Sequence, residues 1–135
     1  GVTFSPDGKT FASASEDALV RIFSAGTGAL VKTFKGHVDG VQSVAYSPDG
    51  TKIVSGSMDS SVRIWQALDG AALGVFEGHT KDVNCAVFSP SGTMVASAAD
   101  DHTVRLWNVS VGSSDHSSSG SFTMSGSYSS AQNIK

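Results

Sequence analysis

The strongest constraint on this chain is that it repeats itself every 42 residues. Phe4-Ser5-Pro6-Asp7-Gly8 returns as Tyr46-Ser47-Pro48-Asp49-Gly50 and again as Phe88-Ser89-Pro90-Ser91-Gly92. Arg21-Ile22-Phe23 returns as Arg63-Ile64-Trp65 and Arg105-Leu106-Trp107, and Gly36-His37 returns as Gly78-His79. The spacing is 42 positions each time, with no insertion or deletion. A fixed period of this size marks a stacked architecture, in which each unit buries its apolar faces against its neighbours because it does not fold alone.

The middle copy shows what one unit is. Residues 41–47 are rich in β-formers, and Pro48-Asp49-Gly50 follows as a turn: Pro sets φ, Asp accepts from nearby backbone, and Gly allows positive φ. Residues 52–57 and 61–66 read as two more strands, joined tightly by Met58-Asp59-Ser60. Asp69-Gly70 turns the chain into a fourth strand over 72–76. Four short strands separated by turn residues make an antiparallel meander. Neither face of these strands is plainly polar, whereas a sheet with one wet face alternates cleanly. No helical period is present to supply a cover. The repeat itself supplies it, as further sheets stacked face to face around an axis.

These residues resemble the WD-repeat family of β-propellers, whose unit length and Gly-His…Trp-Asp signature they share. The resemblance covers Gly1 to about Gly112. It implies an all-β fold: an open arc of about three four-stranded antiparallel blades, a partial β-propeller. Blade 1 is expected over about residues 1–35, blade 2 over about 36–77 and blade 3 over about 78–112. The family's buried relay of His, Ser or Thr, Asp and Trp implies His37, Ser55, Asp59 and Trp65 in blade 2, and His79, Ser97, Asp101 and Trp107 in blade 3. Blade 1 retains Ser13 and Asp17 but carries Phe23, which has no donor, so its relay cannot be complete. Ser24, Gln66 and Asn108 stand where the family's second signature residue would follow the aromatic.

Other chemistries fit less well. Ser, His and Asp can form a hydrolytic triad, but here the set recurs at a fixed spacing, and a catalyst needs one site rather than a series. The chain is therefore expected to be non-catalytic. His37 and His79 fall in separate blades, and in Asp100-Asp101-His102 the middle carboxylate is committed to the relay, so no metal or other cofactor is expected. Gly26-Thr27-Gly28 lacks the strand-to-helix context of a phosphate loop and aligns with Asp69-Gly70 as a hairpin turn. Twelve acidic residues against nine basic ones give a net charge of −3, which argues against a nucleic-acid footprint. Arg21, Arg63 and Arg105 fall one to a blade and read as packing and local ion-pairing residues.

The resemblance implies a protein–protein interaction scaffold, as in signalling assemblies. Its partner-binding rim would comprise Glu16 in blade 1, Gly40, Gln42 and Met58 in blade 2, and Asp82, Asn84 and Asp100 in blade 3. The acidic character of that rim suits a basic peptide or protein. Two further readings follow from the same array. Incomplete arcs with unpaired end blades could self-associate and close a ring, or the arc could be the targeting module of a larger enzyme, since regular copies resemble arrays attached to multidomain proteins such as signalling ATPases. A truncated product without function is a further reading, given the loss of pattern after Gly112.

No apolar run reaches membrane-span length and no signal-peptide pattern is present, so no membrane partner is expected. The single cysteine, Cys85, reads as a buried small residue in a reducing, cytoplasmic or nuclear compartment. Because the chain begins mid-unit at Gly1, the sequence reads as an excerpt of a longer array. Residues 113–120 have nothing apolar where Phe34 and Phe76 stand in earlier copies, and 113–135 is predicted to be a flexible Ser/Gly-rich tail.

Overall fold

A computed structural model describes residues 1–109. The expected tail and the position of a fourth strand in the third unit lie outside the described residues. Among the described residues eleven strands form three antiparallel sheets. The first holds β1 (Val2–Phe4), β2 (Thr10–Ala14), β3 (Val20–Ser24) and β4 (Leu30–Phe34), and the second β5 (Val41–Tyr46), β6 (Lys52–Ser57), β7 (Val62–Gln66) and β8 (Ala72–Phe76). The third holds β9 (Val83–Phe88), β10 (Met94–Ala99) and β11 (Val104–Asn108). Each sheet keeps sequence order, so the all-β meander expected from the repeat is what the chain adopts. Among the described residues no helix is long and apolar enough to cross a membrane, which says nothing of a β-barrel.

The period of the sequence becomes a period of register. Phe4 opposes Phe11, Tyr46 opposes Ile53 and Phe88 opposes Val95. One strand on, Phe11, Ile53 and Val95 oppose Phe23, Trp65 and Trp107. The first turn of each unit sets this register. Ser47 N–H donates to the Lys52 carbonyl at 2.9 Å, its hydroxyl donates to Asp49 Oδ1 at 2.7 Å, and Gly50 closes the turn at φ 74°. The Ser47 hydroxyl, with the Thr51 amide and hydroxyl, holds the Asp49 carboxyl down at about 2. Ser5 and Asp7 repeat the arrangement, and their hydrogen bond lowers the Asp7 carboxyl as well. The third copy replaces the carboxylate with Ser91, whose hydroxyl lies 3.1 Å from that of Ser89.

Apolar side chains meet between sheets as well as within them. One core joins Ala12, Val20, Ile22 and Phe34 of the first sheet to Val41, Val44, Ile53 and Trp65 of the second. A second core joins Val54, Val62 and Ile64 of the second sheet to Val83, Ala86, Val95 and Trp107 of the third. Adding 42 to Ala12, Val20, Ile22, Val41, Val44, Ile53 and Trp65 yields the members of the second core, so the two interfaces are one interface used twice. Polar contacts stitch the same seams. Val41 N–H donates to the Ser15 carbonyl at 2.9 Å, Thr10 Oγ1 lies 3.0 Å from the Tyr46 hydroxyl, and Ala86 N–H donates to Ser43 Oγ at 3.0 Å. At Gly56 a Cβ would come within 2.7 Å of Val83 Cγ1, so glycine there lets β9 close onto β6.

Cys85 departs from expectation: it is exposed. It occupies the place of Ser43, whose side chain faces the next sheet, and no described sheet lies beyond the third. The apolar run around it points alternate residues to opposite faces, so its neighbour Ala86 is buried while Cys85 is not.

Candidate functional site

Two polar constellations sit at the end of the sheets where the second strand turns into the third. In the second sheet, Ser55 is fully buried on β6, beside Trp65 on β7. Trp65 Nε1–H donates to Ser55 Oγ at 2.9 Å, and Ser55 Oγ lies 2.8 Å from His37 Nε2. Indole can only donate, so the serine spends a lone pair on it and its own hydrogen points at Nε2. That makes Nε2 the acceptor and leaves Nδ1–H to donate to Asp59 Oδ2 at 2.8 Å. The chain of bonds thus selects one neutral tautomer of His37. The third sheet repeats it: Trp107 to Ser97 at 2.8 Å, Ser97 to His79 at 2.8 Å, and His79 Nδ1 to Asp101 at 2.8 Å.

The electrostatics follow from burial. Burial pushes His37 below its ordinary 6.5, and the bond to Asp59 opposes that without overcoming it. For Asp59 burial acts upward, but bonds from Ser61, His37 and the Ser61 and Val38 amides outweigh it and hold the carboxyl at about 2. Asp101 is lowered in the same manner: burial opposes, while Thr103, the Thr80 amide and His79 win. In the second sheet an ionised Asp59 therefore anchors an uncharged His37 at neutral pH.

Each relay has a fifth member that sequence reasoning missed. Ser61 Oγ donates to Asp59 Oδ1 at 2.6 Å, and Thr103 Oγ1 donates to Asp101 Oδ1 at 2.6 Å. The signal was present: copies two and three read Asp-x-Ser and Asp-x-Thr, while copy one reads Asp17-Ala18-Leu19. Leucine thus stands in the same copy that has Phe23 in place of tryptophan. Ser13 and Asp17 form no relay there. Asp17 instead takes Arg21 in a bidentate ion pair, with contacts of 3.2 and 2.6 Å, and its carboxyl is drawn to about 2 mainly by that guanidinium. Arg63 has no such partner among the described residues, because Asp59 is occupied by His37. Its guanidinium packs against Gly36, where a Cβ would fall 3.0 Å from Nη1 and 2.9 Å from the Trp65 ring. That close approach explains the glycine of the Gly-His pair.

The relay fixes loops. Asp59 reaches across to Val38 N–H at 3.1 Å, and Met58 N–H donates to the Gly40 carbonyl at 2.8 Å. Asp101 and Asp100 do the same for Thr80 and Asp82. On this pinned edge Glu16, Gln42, Asn84 and Asp100 are exposed, while Met58 and Asp82 are half-buried. Gly40 is not an exposed rim position. It is buried, with the space a Cβ would need taken by Met58 Sδ at 2.9 Å and the Glu16 backbone at 3.3 Å. Asn84 Nδ2 donates to Asp100, so two of the expected contact residues are joined to each other.

The Ser55 and Ser97 hydroxyls are buried and committed at both ends, a condition that suits structural bonding rather than nucleophilic attack. His102 is exposed in a turn at φ 65° while Asp101 faces His79. Among the described residues no three His, Cys, Asp or Glu side chains gather as metal ligands. No curated protein matches the chain. The family model described as WD domain, G-beta repeat matches residues 1–24, 28–66 and 70–108, the second and third matches each taking in the last strand of one sheet and the first three strands of the next. With that match over most of its length, the Gly-His pairs and the repeated relays, the chain belongs to the WD-repeat family, whose propeller-type blades are a protein-interaction fold.

Proposed function

We propose that this chain is a non-catalytic docking module, and that the edge pinned by the two relays binds a Lys- or Arg-bearing protein segment. The observation that carries the reading is a surplus of acid on rigid loops. Glu16, Asp39, Glu77, Asp82 and Asp100 lie in the segments at this edge, against Lys35 and Lys81. Asp17 adds little, because Arg21 neutralises it. Relays in blades 2 and 3 hold the loops before the site is occupied, which lowers the ordering cost of binding. Complementary potential steers a basic partner to such a face and weakens with salt. Gln42, Asn84 and half-buried Met58 supply neutral contacts between the charges.

The test is fluorescence anisotropy with a panel of labelled peptides, Lys/Arg-rich, neutral and acidic, at two salt concentrations. The reading expects binding of the basic set alone, weakened by salt and reduced at least about tenfold by Asp82→Lys with Asp100→Lys. Equal binding by the double variant, or no preference for basic peptides, overturns it. Both carboxylates lie outside the relays, so circular dichroism of the variant should match the parent.

A further inference from the structure

The turns that join the first two strands of the second and third sheets are built from the same donors around different acceptors. Ser89 and Thr93 stand where Ser47 and Thr51 stand, and Gly92 adopts φ 73° where Gly50 adopts 74°. Between them the second copy has Asp49 and the third has Ser91. Three donors converge on Asp49 Oδ1: the Ser47 hydroxyl at 2.7 Å, the Thr51 amide at 3.0 Å and the Thr51 hydroxyl at 2.8 Å. The matching groups surround Ser91 Oγ, with the Ser89 hydroxyl at 3.1 Å, the Thr93 hydroxyl at 2.7 Å and the Thr93 amide at 3.4 Å. The Ser47 hydroxyl and the two Thr51 donors hold the Asp49 carboxyl at about 2, and Lys52 contributes least. The cage therefore suits an anion even in the third turn, where Met94 takes the place of that lysine. Ser91 is exposed, and so is Asp49, whose sheet has a neighbour on either side. Exposure here belongs to the turn rather than to the place of the sheet in the stack. Ser89 differs: it is half-buried, and its hydroxyl accepts the Met94 amide at 3.1 Å, tying β9 to β10.

We propose that Ser91 is a phosphorylation site, its phosphoryl group taking the anion's place in a donor cage like the one that holds Asp49. The phosphoryl donor is ATP, bound to a protein kinase. The Ser91 Oγ–phosphorus bond forms as the bond from the γ-phosphorus to the β,γ-bridging oxygen breaks. The hydroxyl proton goes to the kinase's general base, and ADP leaves. The contacts that Ser91 gives up are between neutral groups at an exposed turn, whereas the phosphoryl oxygens gain charge-assisted bonds from the same donors. Modification thus converts the third turn to the charged form of the first two and tightens the link between β9 and β10. Ser91 lies at the opposite end of those strands from Asp82 and Asp100, so the site is independent of any partner at the acidic edge.

Two measurements on the full chain test this. In chain isolated from the cells that make it, with phosphatases inhibited, fragment mass spectrometry should place a phosphoryl group on Ser91. No phosphoryl group there, or one on Ser89 or Thr93 instead, overturns the proposal. The second measurement uses chain made with phosphoserine encoded at position 91, followed by phosphorus NMR across pH. The second ionisation of the phosphoryl group, ordinarily near about 6, should move down by at least about half a unit. Thr93→Val in the same phosphorylated chain removes one donor from an exposed position and should return part of that shift. Exchange of the Thr93 and Met94 amides should slow at least about twofold on phosphorylation. A phosphoryl group that titrates at its ordinary value with and without the Thr93 hydroxyl lies outside the cage, and that result also overturns the proposal.

Discussion

At the scale of the residue, the relay shows how a buried polar set can cost little when each atom is answered. Ser55 is its pivot: removing the hydroxyl strands the Trp65 N–H and His37 Nε2 in a dry core. Ser55→Ala should destabilise by about 2–4 kcal/mol, since each buried unsatisfied group costs about 1–3 kcal/mol. Ser13→Ala, at the matching place in the blade without a relay, should stay within about 0.5 kcal/mol; urea denaturation of the pair measures the contrast. The relay also predicts a pH dependence. The unfolded chain takes up a proton at His37 near 6.5, and the folded chain resists it, so stability present above 6.5 is lost as pH falls below it. Asp59 adds a second loss between 3.8 and about 2, because its folded carboxyl stays ionised after the unfolded one is protonated. The denaturation midpoint should therefore fall in two stages on acidification. A midpoint flat from pH 7.5 to 5 contradicts the assignment for His37.

At the scale of the element, local chemistry decides how firmly each meander is registered. The Ser-Pro-Asp-Gly turns join the first two strands through a serine hydroxyl and an ionised aspartate in blades 1 and 2. In blade 3, Ser91 accepts the Thr93 amide at 3.4 Å, where Asp49 accepts the Thr51 amide at 3.0 Å. Ser91→Asp should restore the charge-assisted bonds and raise the stability of the third sheet by about 0.5–1 kcal/mol. Hydrogen exchange of β9 and β10 amides reports this locally, and unchanged protection there counts against the turn's role. The opposite turns are held differently. Ala18, Ser60 and His102 all adopt φ near 65–68°, a conformation that L residues tolerate with strain, and all three follow the aspartate of their blade. Asp17, Asp59 and Asp101 each accept the amide two residues on, which is the local bond that holds the turn.

At the scale of the whole molecule, stability resides in the seams between sheets. Ile64 and Leu106 occupy the same position of successive units, yet only Ile64 lies in a shared core. Ile64→Ala should cost about 2–4 kcal/mol, as for buried aliphatic truncations. Leu106→Ala should cost about 1 kcal/mol or less, because no described sheet covers it. Equal costs contradict the stacking order. The same logic explains why identical residue types differ in exposure along the chain: burial is set by what sits on the next sheet.

Much of this was legible in the residues alone. The 42-residue period, the turn chemistry and the alternation within each copy determined an all-β chain of stacked meanders, because turn geometry and side-chain facing are local properties of a few consecutive residues. The family signature pointed to His37, Ser55, Asp59 and Trp65 and to their counterparts in blade 3. Only the tertiary structure decided the rest. It paired Asp17 with Arg21, brought Ser61 and Thr103 into the relays, buried Gly40 beneath Met58 and left Cys85 exposed. Each of these depends on which atoms approach from another strand or another sheet. A repeat makes the copies alike in sequence, but neighbours differ for the first, middle and last of them, and it is the neighbour that sets burial, charge pairing and exposure.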